Sequence, residues 1–203
     1  MIFIIRKPRD VVMSPFTVAV DTREQAPFTF LGLRADADQG GLPLVIPTQI
    51  KTLQTGDYSI VGYESAITIE RKSLEDAVST IVVDRDRFDR EFQRMQSYQF
   101  AAVVIEASWG KLLTPIANRR IKPKSITRGI MSLMLRYPAV QWVMCPDRRF
   151  AECFTYQLLA KFWEHRQREL RAAAKATGIT SQPQPQPITA PTTATATQTQ
   201  LYF

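Results

Sequence analysis

The chain has 203 residues, of which 45% are hydrophobic, and its formal net charge at pH 7 is +7. This length allows one substantial domain and is short for two, while the basic charge favours a polyanionic partner such as nucleic acid. Two cysteines, Cys145 and Cys153, are too few for a zinc cluster and indicate a reducing compartment. Because no long apolar run occurs, we expect neither a secretory signal nor a membrane span, and we predict an intracellular protein of the cytoplasm and nucleoid or of the nucleus.

Composition divides the chain into three parts. Residues 1–15 are an ambiguous lead-in, residues 16–175 have the pattern of a folded domain, and residues 176–203 are rich in proline, glutamine and threonine. The last part has no charged residue and nothing from which a core could be built. We therefore predict one folded domain followed by a disordered tail.

Apolar, β-branched runs alternate with turn residues in the first part of the domain. Residues 17–20 predict a buried strand that ends at Asp21, residues 33–41 predict a loop, and residues 45–53 predict another strand. Gly56 and Asp57 are turn residues before the next strand, and residues 66–69 begin the strand after it. The pattern predicts two strands joined in a hairpin, with Asp57 at its entry.

The hairpin strand continues into Glu70, Arg71 and Lys72. Because alternate side chains of a strand share a face, Glu70 and Lys72 are expected to point the same way, with Asp57 joining them from the neighbouring strand. Carboxylate oxygens suit Mg²⁺ and a lysine can hold an attacking water, so this grouping predicts a hard-metal site. The alternative interpretation is a solvated hairpin with a surface ion pair.

Two helices are predicted directly after this strand. Ser73 is a good N-cap for a helix over residues 74–83, and Asp76 at the third position completes a capping box, which favours a capping role for Asp76. In the second helix the apolar residues recur at helical spacing and are expected in the core; they are Phe88, Phe92 and Met95. We expect Arg85 and Arg87 to face a phosphate.

The rest of the domain alternates strands and helices. Residues 101–106 predict a buried strand and residues 140–144 the last strand, while residues 125–137 and 148–175 predict helices. The loop before the first of these helices is basic and contains Arg119, Arg120, Lys122 and Lys124. Helices that alternate with mostly buried strands predict an α/β fold with a mixed sheet flanked by helices.

Two absences narrow the chemistry. The only histidine is His165, on the last helix, which disfavours a histidine-dependent nuclease and a serine or cysteine triad. The sequence also contains no phosphate-binding loop of the Gly-x-x-x-x-Gly-Lys-Ser/Thr type, so no ATPase motor is predicted in this chain.

Three ordered motifs resemble the XPF-type (xeroderma pigmentosum group F) structure-specific endonucleases of the restriction-endonuclease-like superfamily. The first is the Asp-x-Arg-Glu at residues 21–24, the second is Gly56-Asp57, and the third is Glu70-Arg71-Lys72 followed after three residues by Asp76. The family's downstream arginines also have counterparts in Arg85 and Arg87. The resemblance implies a restriction-endonuclease-like α/β/α core over about residues 16–165.

The resemblance also implies an activity, namely hydrolysis of phosphodiester bonds in branched or flapped DNA with Mg²⁺ or Mn²⁺, in repair, recombination or replication. The catalytic residues that it implies are Asp21, Glu24, Asp57, Glu70 and Lys72, with Glu24 near the metal or Lys72. Of these, Asp21, Asp57 and Glu70, with the main-chain carbonyl of Arg71, are the expected metal ligands. The expected DNA-binding residues are Arg23, Arg71, Arg85, Arg87, Arg119, Arg120, Lys122 and Lys124.

Two other functions remain open at this stage. One is a non-catalytic DNA-binding or scaffold subunit of a nuclease complex, which the complete set of acidic residues disfavours. The other is a restriction or junction-resolving nuclease of the same superfamily.

Partners besides DNA are predicted from the last helix and the tail. Family nuclease cores pair through their last helices, which predicts a homodimer. We expect Phe150, Phe154, Leu158 and Phe162 to cover the sheet, which leaves Leu159 and Trp163 for the interface. The tail ends in Gln-Leu-Tyr-Phe at residues 200–203, which vaguely resembles peptides that dock on sliding clamps; the alternative is a terminus without function.

Overall fold

The computed structural model describes residues 10–82, 84–114 and 122–177. Its eight strands are β1 (Val12–Met13), β2 (Val18–Asp21), β3 (Leu44–Val45), β4 (Thr48–Lys51), β5 (Tyr58–Ile60), β6 (Ile67–Lys72), β7 (Phe100–Ile105) and β8 (Val140–Met144). Its five α-helices are α1 (Leu74–Val82), α2 (Arg85–Met95), α3 (Trp109–Leu113), α4 (Pro123–Arg136) and α5 (Arg148–Ala176). Within these ranges no helix is both long and apolar enough to cross a membrane.

Six strands form one mixed sheet in the order β4-β2-β5-β6-β7-β8. Strand β2 is parallel to β4 and antiparallel to β5, and β5 is antiparallel to β6. Strands β6, β7 and β8 are parallel to one another, so that Glu70 pairs with Val103 and Lys72 with Ile105. The predicted α/β fold with a mixed sheet is confirmed.

The sheet has an apolar core on each face. Alternate residues of β7 point to opposite faces: Val103 and Ile105 pack with helices α1 to α4, while Val104 packs with α5 and the aromatic residues around Tyr58. All three of these side chains are fully buried, as a central parallel strand requires. Helices therefore cover both faces of the sheet, and the polar ends of its strands stay accessible.

The boundaries differ from the sequence predictions at two places. The strand predicted over residues 45–53 is divided into β3, which pairs with β1 in a separate two-stranded sheet, and β4, which lies at the edge of the main sheet. Pro47 separates the two, because its ring nitrogen cannot donate to a sheet ladder. The short helix α3, capped by the Ser108 side chain, was not predicted because five residues show no helical period.

The long helix α5 buries a different stripe from the one predicted. Ala151, Thr155 and Leu159 are completely buried, while Phe150 is 49% exposed. The interface role predicted for Leu159 is therefore wrong, because this residue belongs to the core of the domain. Phe154, Leu158, Phe162 and Trp163 are only partly buried at the edge of that core.

Candidate active site

An open cleft lies at the end of the sheet where β2 and β6 finish and β5 begins. Its volume is about 690 Å³, and its lining is strongly polar. The sheet contributes Asp21, Asp57, Glu70, Arg71 and Lys72, and helix α2 contributes Arg87, Glu91 and Arg94. The three carboxylates and the lysine predicted from the strand pattern thus line a single cleft.

Gly56 places the Asp57 turn directly against β6. Its φ is +75°, and a Cβ atom built there would lie 2.1 Å from the Thr68 hydroxyl oxygen and 3.1 Å from the Ile69 carbonyl oxygen. Only glycine fits both the left-handed conformation and this close approach. The Asp57 amide then donates to the Ile69 carbonyl at 2.8 Å, and the Asp57 carboxylate accepts a bond from the Arg71 amide at 2.7 Å. Asp57 is therefore held at the floor of the cleft.

Glu70 and Lys72 form a buried ion pair on one face of β6. They are 5% and 8% exposed, and the Lys72 ammonium donates a hydrogen bond to the Glu70 carboxylate. The same ammonium lies 5.3 Å from the centre of the Phe88 ring, which favours its charged form. The prediction that these two side chains share a face is confirmed, and the alternative of an exposed surface pair is excluded.

The charges of the two floor carboxylates, Asp57 and Glu70, repel one another. Burial raises the pKa of Asp57 from its ordinary 3.8 to about 7, since the hydrogen bond from the Arg71 amide only partly offsets the loss of solvation. Burial and then the charge of Asp57 raise the pKa of Glu70 well above its ordinary value. One ammonium, that of Lys72, is too little positive charge to keep both acids ionised at low cost.

The Asp21 carboxylate is hydrogen-bonded to Arg23 and Leu53. Its carboxylate accepts bonds from the Arg23 amide at 2.8 Å, from the Arg23 guanidinium at 2.7 and 3.1 Å, and from the Leu53 amide at 2.7 Å. Burial raises the pKa of Asp21, but these bonds outweigh burial and leave the pKa below its ordinary value. In this arrangement Asp21 orients Arg23, and its predicted role as a metal ligand stays a prediction.

Glu24 and Arg71 are partners of each other. The Arg71 guanidinium donates two bonds to Glu24, at 3.0 and 3.1 Å, and one to Glu106 at 3.0 Å. Glu24 was expected beside the metal or Lys72, and Arg71 at a DNA phosphate. In the structure the Arg71 side chain is only 10% exposed and three of its five N–H groups bond to Glu24 and Glu106, so the two residues position each other, and their roles at the metal and at DNA stay predictions. Arg148 bonds to Glu106 and extends this network to α5.

The remaining predicted residues fall into three groups. Ser73 caps helix α1 as predicted, since its hydroxyl oxygen accepts a bond from the Asp76 amide at 3.1 Å, and the same hydroxyl donates to the Asp76 carboxylate at 2.7 Å. Arg87 is exposed and lines the cleft, whereas Lys122 and Lys124 are exposed at the start of α4. Arg119 and Arg120 lie outside the described residues, as do the side chain of Arg85, residues 1–9 and residues 178–203.

The cleft carboxylates can be matched to the requirements of a divalent ion. In the part of the chain that the structure describes, no three histidine, cysteine, aspartate or glutamate side chains form a group that could hold a metal in their present arrangement. The chemistry of Asp57 and Glu70 nevertheless fits Mg²⁺ or Mn²⁺, because both are hard oxygen donors whose mutual repulsion a cation would relieve. These two are the residues best suited to hold the ion.

Glu91 is a residue of this cleft that the sequence did not indicate. It lies on α2 and its charge raises the pKa of Asp57, Glu70 and Lys72. The available signal was its position four residues after Arg87, which places both on one helix face. That signal does not show which part of the sheet this face of α2 lies against. Only the packing of α2 on the sheet shows that Glu91 lies at the cleft.

The fold and the cleft together define an α/β protein with a carboxylate and lysine site at the ends of its central strands. The sequence profile of the ERCC4 domain matches residues 20–158, which is more than half of the chain. The chain therefore belongs to the ERCC4 domain family, and its resemblance to the XPF-type nuclease domain is confirmed. A comparison with curated protein sequences finds no match.

Two similar solved structures share this fold. XPF from Aeropyrum pernix is 20% identical with a TM-score of 0.53, over 77% of this chain and 69% of that chain. XPF from Aeropyrum pernix in complex with DNA is 20% identical with a TM-score of 0.52, over 74% of this chain and 66% of that chain. The chain thus spans about two thirds of the length of these structures.

Proposed function

We propose that this chain is a metal-dependent endonuclease that hydrolyses phosphodiester bonds in branched or flapped DNA. The observation that carries the proposal is the buried Glu70–Lys72 pair beside Asp57 in an open polar cleft. Membership of the ERCC4 domain family supports it, as does the net charge of +7. The A. pernix relative has been solved in complex with DNA, which supports DNA as the partner of this chain.

Each side chain of the cleft has a separate task in this proposal. Asp57 and Glu70 would hold Mg²⁺ or Mn²⁺, joined by the main-chain carbonyl of Arg71. When bound, such an ion lowers the pKa of a coordinated water and offsets charge on the phosphate. Lys72, freed from Glu70, orients the attacking water or stabilises the charge that develops on the phosphate.

The cleft also offers a surface for the DNA backbone. Arg23 is 64% exposed at its side chain, and its contacts with Asp21 and the Leu53 carbonyl hold it at the cleft. Arg87 and Arg94 approach the cleft from α2. Arginines on both sides of the carboxylates would place a DNA phosphate over the ion. Because these contacts are to phosphates and not to bases, they are consistent with recognition of DNA shape rather than sequence.

A panel of labelled flap, fork, nicked, four-way and linear duplex DNAs tests this function. With Mg²⁺ we expect cleavage of branched substrates, leaving 5′-phosphate and 3′-hydroxyl ends, and no cleavage in EDTA. A Glu70→Gln protein should bind the same DNAs without cutting them, while a Glu75→Gln protein, changed at an exposed position on α1, should cut normally. Binding without cleavage by the unaltered protein would favour a scaffold subunit, and cleavage that survives Glu70→Gln would refute the assigned site.

Assembly and recruitment are further parts of the proposal. We propose a homodimer through α5, where Phe150 is half-exposed and stacks on Phe154 with ring centres 6.1 Å apart. We also propose that residues 200–203 dock on a sliding clamp. Deletion of residues 196–203 tests this, because it should abolish recruitment of the protein to DNA that carries the clamp. Light scattering at micromolar concentration distinguishes dimer from monomer.

A further inference from the structure

Glu91 is held over the cleft by the packing of α2. Phe88 and Phe92, on the adjacent face of this helix, are 2% and 0% exposed and belong to the apolar core. Arg87, Glu91 and Arg94 recur at spacings of four and three residues and all line the cleft. The position of Glu91 is therefore set by the same core that holds the sheet.

Glu91 faces the Glu70 carboxyl group rather than a basic side chain. Both residues line the same cleft, and a hydrogen bond from the Glu91 carboxyl group is among the causes that raise the pKa of Glu70. Among the residues that the structure describes, Glu91 takes part in none of the ion pairs, although Arg87 and Arg94 are each one helical turn away. Two carboxyl groups in contact are unfavourable unless a proton or a cation lies between them.

The charges around this contact favour a cation over a proton. The negative charges of Glu70, Glu91 and Asp57 all act on one ammonium, that of Lys72, which already bonds to Glu70. The cleft is open to solvent, so a hydrated cation can reach the Glu70–Glu91 contact. A proton would neutralise one acid, whereas a divalent ion would satisfy the oxygens of both and free Lys72.

We propose that Glu91 is a ligand of the same divalent ion that Glu70 holds, so that helix α2 as well as the sheet supplies the metal site. The inference rests on the proposed function and extends it by one residue. It also links the metal to the arginines of α2, because the helix that presents Arg87 and Arg94 to a phosphate would be fixed by the ion through Glu91.

Metal binding to the full chain tests this inference without any measurement of cleavage. Titration calorimetry with Mn²⁺, in the absence of DNA, should show that Glu91→Gln weakens binding about 10-fold or more. Glu75→Gln is the matched control, since it removes one negative charge from an exposed position of the neighbouring helix α1 and should leave the affinity unchanged.

Thermal unfolding supplies an independent readout. Without metal, Glu91→Gln should unfold at the same or a higher temperature, because it removes the repulsion from Glu70. With Mn²⁺ present, the increase in melting temperature seen for the unaltered protein should shrink. A purely structural role of Glu91 predicts the opposite, namely a lower melting temperature in both conditions.

Glu70→Gln separates the failure of this inference from the failure of the proposed function. If Glu70→Gln loses Mn²⁺ binding while Glu91→Gln binds as tightly as the unaltered protein, the role of Glu91 is refuted and the metal site at Glu70 stands. If the unaltered protein binds no Mn²⁺ at millimolar concentration, the proposed function and the inference both fail.

Discussion

Lys72 donates a hydrogen bond to Glu70, two positions earlier on the same strand, and both side chains are buried. The ammonium occupies a Glu70 oxygen that a divalent ion would use. In the proposed function, Lys72 and the ion would therefore compete for Glu70.

Lys72→Met tests the contribution of this ammonium. We expect the rate of DNA cleavage to fall about 100-fold or more, as it does when one charge-stabilising donor is removed from an active site. Single-turnover cleavage of a flap substrate is the measurement. Lys51→Met is the control, because Lys51 forms an exposed pair with Glu64, and cleavage should be nearly normal. Equal rates for both variants would contradict the role of Lys72.

The stability of the metal-free protein should depend on the protonation of Asp57. Burial raises the pKa of Asp57 to about 7, so the folded protein holds this proton more tightly than the unfolded chain does. The stability that the proton contributes is complete below about pH 3.8 and is lost as the pH rises through about 7. We expect Asp57→Asn to flatten the fall in unfolding free energy between these values, measured with urea in EDTA.

Asp38→Asn is the control for this pH dependence, because Asp38 is exposed in the short 3-10 helix Ala37–Gln39 and its change should keep the slope of the unaltered protein. Indistinguishable slopes for Asp57→Asn and the unaltered protein would show that Asp57 is not the group responsible. Millimolar Mg²⁺ should reduce the slope of the unaltered protein, since the ion replaces the proton.

Gly56→Ala should damage the fold at the cleft. The added Cβ would lie 2.1 Å from the Thr68 hydroxyl oxygen in a left-handed backbone, which we expect to cost about 2–4 kcal/mol of unfolding free energy. Gly62→Ala is a matched control, because Gly62 has a φ of +88° but nothing within 4 Å of its Cβ position, so only backbone strain of about 1 kcal/mol is expected. Equal losses in urea unfolding would show that the close contact is unimportant.

Glu24→Gln should destabilise the domain by weakening the ion pairs of Arg71. The Glu24 and Arg71 side chains are 4% and 10% exposed, and Arg71 would keep only Glu106 as its ionic partner. Removal of one partner from a buried pair costs about 3 kcal/mol. Glu64→Gln breaks the more exposed pair with Lys51 and should cost less than about 1 kcal/mol. Urea unfolding of both variants decides whether burial makes this difference.

DNA affinity should depend on salt through the basic residues before and at the start of α4. Replacement of Arg119, Arg120, Lys122 and Lys124 by alanine should weaken DNA binding. The slope of log K against log salt concentration should also become shallower, by up to about 0.9 for each phosphate that the variant no longer neutralises. Fluorescence anisotropy over a range of salt concentrations, in EDTA, measures this slope. Alanine at Arg168 and Arg171, exposed on α5, is the control; an equal slope for both sets would place the DNA path elsewhere.

Local patterns in the sequence were sufficient for most of the fold and for part of the site. The period of two in a strand placed Glu70 and Lys72 on one face, and the box formed by Ser73 and Asp76 marked the start of α1. These predictions held because their physical causes act within a few residues. Strand β7 was equally predictable, since a buried parallel strand needs a continuous apolar run.

Partners far apart in the chain were decided only by tertiary structure. Glu24 was expected near Lys72 but meets Arg71, 47 residues away, and Leu159 was expected at a surface but lies in the core. Glu91 meets Glu70 because the aromatic face of α2 fixes how that helix lies on the sheet. The sequence by itself determined which side chains share a face. The packing of helices on the sheet decided which faces meet, because it depends on the summed fit of many side chains rather than on any one local pattern.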